Sequence, residues 1–165
     1  MEQTVNNQIS IRPAVPSDAA TILHFINELA IYEKEPDAVK TDENAILKTL
    51  FSEGATAHSV ICLEGDTAIG FAVYFYNYST WLGKNGLYLE DLYVSADSRG
   101  KGAGKKIMQY LAKQALEKDC GRFEWVVLDW NKPAIDFYDS IGAKPQNEWI
   151  IYRLTGQELI DFANQ

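Results

Sequence analysis

Two adjacent carboxylates, Glu90 and Asp91, stand shortly before the stretch Arg99-Gly100-Lys101-Gly102-Ala103-Gly104. Glycines let a backbone approach an anion closely, and the N–H groups and dipole at a helix start attract it. The paired acids next to such a cradle suit a cation. One junction thus offers chemistry for a phosphate-bearing cofactor meeting a cationic substrate. A Walker A loop would need Gly at position 99 and Ser or Thr at 106, where this chain has Arg99 and Lys106. A dinucleotide fingerprint would need a third Gly at 105, where Lys105 stands. What remains is Arg99-x-x-Gly102-x-Gly104.

Other reactive residue types suggest less. Cys62 and Cys120 lack zinc spacing, and Cys62 lies in an apolar run that reads as a buried thiol. Cys120 has no adjacent His to activate it, which speaks against a covalent cysteine mechanism. His24 sits beside Phe25 and His58 at a strand start, neither with ligand spacing, so no metal is expected.

The elements that must position the junction follow from periodicity. Residues 87–94 predict a strand running into the glycine loop, and residues 102–118 a helix with Ile107, Met108, Leu111 and Ala115 on one face. Upstream, residues 8–14 read as a strand. Ser17 is a plausible N-cap for a helix carrying Ile22, Phe25, Ile26 and Leu29, and a second helix begins near Thr41. Residues 57–64 and 67–76 form a hairpin about Gly65-Asp66. Downstream come a strand at 123–129, a helix at 132–141 with Pro133 in its first turn and Gly142 at its end, a strand at 148–154 and a short terminal helix. This order describes one α/β domain, residues 1–165, with a mixed sheet.

Composition sets the outer limits. At 165 residues, 47% hydrophobic and 23% charged, the chain fits one soluble globular domain. No apolar run approaches a membrane span, and the first seven residues lack the pattern of a signal peptide, so a cytoplasmic location and no membrane partner are expected. The Asn77-Tyr78-Ser79 sequon is then a chance match. A net charge of −8 argues against nucleic acid as a partner and would favour the approach of amines.

With these elements placed, the chain resembles the GNAT superfamily of N-acetyltransferases, and within it the diamine (spermidine/spermine) and thialysine acetyltransferases. The resemblance is carried by Ile11-Arg12-Pro13-Ala14, Glu28-Leu29-Ala30 with Tyr32-Glu33, Gly70-Phe71-Ala72, Trp81-Leu82-Gly83-Lys84 and Leu87-Tyr88-Leu89-Glu90-Asp91. Further on it rests on the glycine loop, on Trp130-Asn131-Lys132-Pro133-Ala134-Ile135-Asp136-Phe137-Tyr138 and on Gly142-Ala143. It implies a mixed, mostly antiparallel central sheet flanked by helices, acetyl-coenzyme A as cofactor, a small-molecule amine as substrate and a homodimer. It also implies a strand bulge near Glu90, with Leu92, Tyr93 and Val94 bonding the pantetheine arm through their backbone. Arg99, Gly100, Lys101, Gly102, Ala103, Gly104 and Lys105 would wrap the pyrophosphate, and Asn131, Lys132, Pro133 and Ala134 would line its other side. Tyr138 falls on the general acid. Tyr32, Glu33, Glu90, Asp91, Glu124, Trp125, Val126 and Glu148 fall at the amine. The family pattern also places basic residues just after the tyrosine, where this chain has Asp139, Ser140 and Ile141. Lys101 and Lys105 are the cations left to compensate.

The chemistry this implies is direct transfer in a ternary complex. A free alkylammonium has a pKa of about 10.4 and must lose a proton to attack, which Glu90 would accept directly or through water. The departing thiolate needs a proton, and the phenol of Tyr138, with an ordinary pKa of about 10, can supply it at little cost. Two other readings stay open: acetylation of a protein or peptide amine, and a non-catalytic acyl-coenzyme A sensor.

Overall fold

The computed structural model describes residues 8–165. The seven N-terminal residues, on which the targeting expectation rests, lie outside the described residues. The chain forms two compact units, one ending at Val126 and the other spanning Val127–Gln165.

The first unit is built on a five-stranded sheet in the order β1-β2-β3-β4-β5. Its strands are β1 (Ile9–Pro13), β2 (Ala57–Glu64), β3 (Thr67–Ser79), β4 (Lys84–Val94) and β5 (Phe123–Glu124). The first four pair antiparallel, and β5 joins β4 in parallel. The sheet is therefore mixed and mostly antiparallel, as the family pattern implies. Its helices are α1 (Ala19–Tyr32), α2 (Glu43–Leu50) and α3 (Ala103–Glu117).

Strand alternation divides the core between two faces. Ile61, Phe71 and Tyr93 pack with Ile22, Phe25 and Leu29 of α1, and Phe25 stacks on Phe71 at 5.8 Å between ring centroids. Each such side chain contributes about 1.5–3 kcal/mol on burial. Val60, Cys62, Ala72 and Tyr74 fall on the opposite face by the same alternation. Among the residues of α3, Ile107, Met108, Leu111 and Ala115 are all buried, the four that its periodicity singles out. Where β3 meets the end of β4, Gly70 is required: a Cβ there would lie 2.5 Å from the Tyr93 carbonyl oxygen. Cys62 is fully buried, and burial pushes its thiol up to about 11. Asn77 and Ser79 lie within β3, with Ser79 buried, which makes the sequon a poor acceptor of sugar.

Some boundaries differ from those the sequence predicts. Ser17 does not cap α1. It sits in a 3-10 turn, Pro16–Asp18, where Asp18 takes both a bidentate bond from Arg12 (2.7 and 2.9 Å) and the Val15 N–H (2.8 Å). The second helix is capped by Asp42, whose carboxylate accepts the Ala45 N–H at 2.7 Å.

The larger differences concern strands. The expected strand at 123–129 stops at Glu124, because β4 bulges two residues after its last pairing with β5, and a ladder without a partner backbone ends. The second unit contains α4 (Lys132–Ser140) and α5 (Gly156–Ala163), and residues 148–154 form no strand. That unit holds no strand to pair with them, so the alternating pattern alone cannot make a ladder.

Candidate functional site

The β4 bulge falls on Glu90. Tyr74 pairs with Leu89 and Val73 with Asp91, so Glu90 is the extra residue, and its side chain is exposed. A bulge turns the side chains on its two sides to new directions. Asp91, opposite Val73, falls on the α1 face, where burial, then the charges of Glu90 and Glu33, push its carboxyl up to about 6. Glu33 caps the C-terminus of α1, and partial burial raises its own carboxyl. Glu33, Glu90 and Asp91 thus share one electrostatic neighbourhood, which a cation would relieve.

The end of α1 is built tightly. The Lys34 N–H bonds the Ile31 carbonyl at 3.1 Å and the Glu35 N–H bonds the Ala30 carbonyl at 2.8 Å, a Schellman closure with Lys34 in the left-handed region at φ 66°. This turn carries Tyr32 and Glu33.

Beyond the bulge, β4 offers an open edge. Its pairs with β5 are Leu87↔Phe123 and Tyr88↔Glu124, and among the described residues Leu92, Tyr93 and Val94 take no strand partner on that side. An extended ligand bearing amides could add there as a strand does. The chain then passes through a 3-10 turn, Ala96–Ser98, into the glycine loop. Gly100 and Gly102 have φ of 79° and 80°, and a Cβ placed at Gly100, Gly102 or Gly104 would meet nothing within 4 Å. The Lys106 N–H closes the first turn of α3 on the Gly102 carbonyl at 3.0 Å, and the N–H groups of Ala103, Gly104 and Lys105 precede it at the helix start. Open space before N–H groups at the positive end of a 15-residue helix fits a pyrophosphate.

The structure assigns several expected site residues to other partners. Lys101 donates to both oxygens of Glu64 at 3.0 Å, across 37 residues. The Arg99 guanidinium turns back to the Val94 carbonyl and the rings of Tyr32 and Tyr93. Glu124 pairs with Arg122 at 2.7 Å, and the Trp125 ring meets Phe123 edge-on at 4.9 Å. Val126 is exposed. Glu28 and Glu64 were not legible as site residues, because each meets its partner, Tyr93 and Lys101, across 65 and 37 residues and no local spacing announces that.

In the second unit, Asn131 caps α4, its side chain accepting the Ala134 N–H at 3.4 Å, with Pro133 in the first turn. Lys132 pairs with Asp136 at 2.8 Å, which raises the Lys132 amine. Tyr138 is half-buried on α4, its ring 5.7 Å from Phe137. Glu148 is exposed in an irregular segment.

β4 thus combines a bulge, an unpartnered edge and a glycine loop that opens a helix. Residues 23–143 match the model of the acetyltransferase (GNAT) family, and the chain belongs to that family. It is by that membership an N-acetyltransferase. It is 38% identical over 168 residues to a thialysine N-epsilon-acetyltransferase of Sus scrofa, covering 95% of this chain and 98% of the relative. It is 31% identical to the L-ornithine N5-acetyltransferase NATA1 of Arabidopsis thaliana, covering 90% of this chain and 85% of that one. Among solved structures, an integron cassette protein from the mobile metagenome of V. cholerae superposes with a TM-score of 0.80 at 29% identity, covering 95% of this chain and 98% of that one.

Proposed function

We propose that the protein transfers an acetyl group to the primary amine of a small cationic aminoalkyl compound, of the polyamine, diamine or thialysine kind, by direct attack in a ternary complex. The observation that carries this reading is the trio Glu33, Glu90 and Asp91, an acidic neighbourhood beside the open edge of β4. Acetyl-coenzyme A, when bound, supplies the acetyl group as an activated thioester. The chain's own residues do the rest. Leu92, Tyr93 and Val94 hold an extended arm through backbone bonds, and the loop from Gly100 to Lys105 receives phosphates. Lys101, which also pairs with Glu64, and Lys105 are the loop's cations for phosphate. Asn131, Lys132, Pro133 and Ala134 line the cofactor's other side.

At the acceptor end, Glu33 and Asp91 hold the ammonium, aided by Tyr32 and, further along, by Glu124, Trp125, Val126 and Glu148. Glu90, exposed at the bulge, receives the proton the ammonium gives up. Tyr138 donates its phenolic proton to the departing thiolate and is recharged from solvent. Relatives named for thialysine and for L-ornithine, both with a side-chain primary amine, support an acceptor of this class. The whole chain works as one catalytic domain, without nucleic acid, in the cytoplasm. It pairs as a homodimer, for which the exposed run Trp149, Ile150, Ile151 and Tyr152 provides apolar surface. Sedimentation at micromolar concentration checks the pairing.

The test of function is turnover with acetyl-coenzyme A and a panel of thialysine, ornithine, putrescine, spermidine and a lysine-containing peptide. Acetylation of the small amines well above the peptide is the expected result. Preference for the peptide would move the assignment to protein acetylation, and binding of acetyl-coenzyme A without any turnover would make the protein a sensor.

A further inference from the structure

Arg99 opens the loop motif, yet its side chain engages groups outside the loop. Its Nε donates to the Val94 carbonyl at 3.2 Å, and its guanidinium carbon lies 4.8 Å from the centre of the Tyr32 ring and 5.5 Å from that of Tyr93. The Tyr93 hydroxyl donates to Glu28 Oε2 on α1 at 3.3 Å. One cation therefore joins the end of β4 to the last turn of α1. That turn is the Schellman closure with a non-glycine residue, Lys34, in the left-handed region, a conformation that L side chains adopt at a cost. Two backbone bonds close it, and the guanidinium on the Tyr32 ring ties it to β4 as well. Tyr32 is its last helical residue and Glu33, one of the acids facing Asp91, is the next.

We infer that Arg99 is a positioning residue for the acceptor site: its guanidinium, seated on Tyr32 and Tyr93, holds the strained end of α1 so that Glu33 stays opposite Asp91. The inference deepens the acetyltransferase reading above and rests on it for the identity of the acceptor. A planar guanidinium can stack on a ring while donating a bond sideways, whereas an ammonium is a compact, strongly hydrated charge. Lysine at this position keeps the charge and loses the staple.

Two measurements test it. Hydrogen exchange of the Glu33, Lys34 and Glu35 amides, whose bonds to Leu29, Ile31 and Ala30 close α1, is compared between the unmodified protein and Arg99→Met and Arg99→Lys. Both variants should exchange there about three- to fivefold faster, with α3 unaffected, as expected for loss of a cation–ring contact made by an exposed guanidinium. The KM for thialysine, measured at saturating acetyl-coenzyme A, should rise by a similar factor in both, with kcat changed less than twofold. Unchanged exchange overturns the inference whatever the kinetics. So does an unchanged thialysine KM accompanied by weaker coenzyme A binding, which would make Arg99 a phosphate ligand, or recovery of both readouts in Arg99→Lys, which would reduce it to its charge. If the unmodified protein acetylates no amine, the functional reading falls, while the exchange data still decide whether Arg99 holds α1.

Discussion

At the scale of single residues, Asp91 carries two opposed demands. Its carboxyl, pushed up to about 6 by burial and by Glu90 and Glu33, binds a proton more tightly folded than unfolded, where its ordinary value is 3.8. Stability from this group therefore falls as pH rises from about 4 to about 6, and above that the buried charge costs about 3 kcal/mol. Asp91→Asn should stabilise the protein by up to that amount at pH 8, with the gain vanishing near pH 4, and should weaken diamine binding at pH 8. Urea titrations at the two pH values, alongside the diamine KM, check both halves. A stability gain equal at both pH values would remove the burial argument. Tyr138 is the other decisive residue. Tyr138→Phe keeps the ring that meets Phe137 and deletes the proton donor. The expected loss in kcat is about 10²–10⁴-fold, with both KM values changed only a few-fold. The loss should shrink with an acyl donor whose thiol is more acidic. Near-normal kcat under conditions where chemistry limits the rate would return Tyr138 to a packing role.

At the scale of elements, the junction between β4 and α3 carries the cofactor assignment. Gly102 is both the N-cap of α3 and a left-handed residue facing open space. Gly102→Val places a branched side chain where phosphate oxygens would meet the backbone, and strains the loop by about 1–2 kcal/mol. Acetyl-coenzyme A affinity should fall at least about tenfold while the far-ultraviolet circular dichroism stays unchanged. Calorimetry measures it, and unaltered affinity would mean that the phosphates lie elsewhere. The start of α1 rests on a different device, the Arg12–Asp18 pair, whose guanidinium holds the Asp18 carboxyl below its usual range. Stability from this pair is present above the ordinary aspartate pKa and lost as pH falls through the lowered one. Asp18→Asn should cost about 1–3 kcal/mol at pH 7, since it weakens a charged bidentate bond that also fixes the Val15 N–H. Thermal melts at pH 7 and pH 3 should show a smaller penalty at the lower pH.

At the scale of the whole molecule, a net charge of −8 and a half-exposed acidic site make acceptor binding electrostatic. Raising ionic strength from 0.05 to 0.5 M, in round numbers about a threefold drop in Debye length, should raise the diamine KM several-fold more than the KM for acetyl-coenzyme A. Parallel changes in the two would argue against the acidic pocket.

The sequence by itself determined what is local. The β4–loop–α3 junction, the buried face of α3, the hairpin at Gly65 and the start of α4 with Pro133 in its first turn are each set by neighbours within a few residues, so propensity and spacing reach them. Only the tertiary structure decided where long side chains go and where ladders stop. Lys101 turns to Glu64 and Arg99 to Tyr32, so residues that the motif assigns to ligands also bind the protein itself. The ladder at 123–129 ends after two residues because the bulge at Glu90 takes β4 away from it, and residues 148–154 form no strand because their own unit has none to offer. A helix is satisfied by its own backbone and can be read from one segment. A strand, or a pair such as Lys101–Glu64 or Arg99–Tyr32, needs a partner that the fold brings from far along the chain.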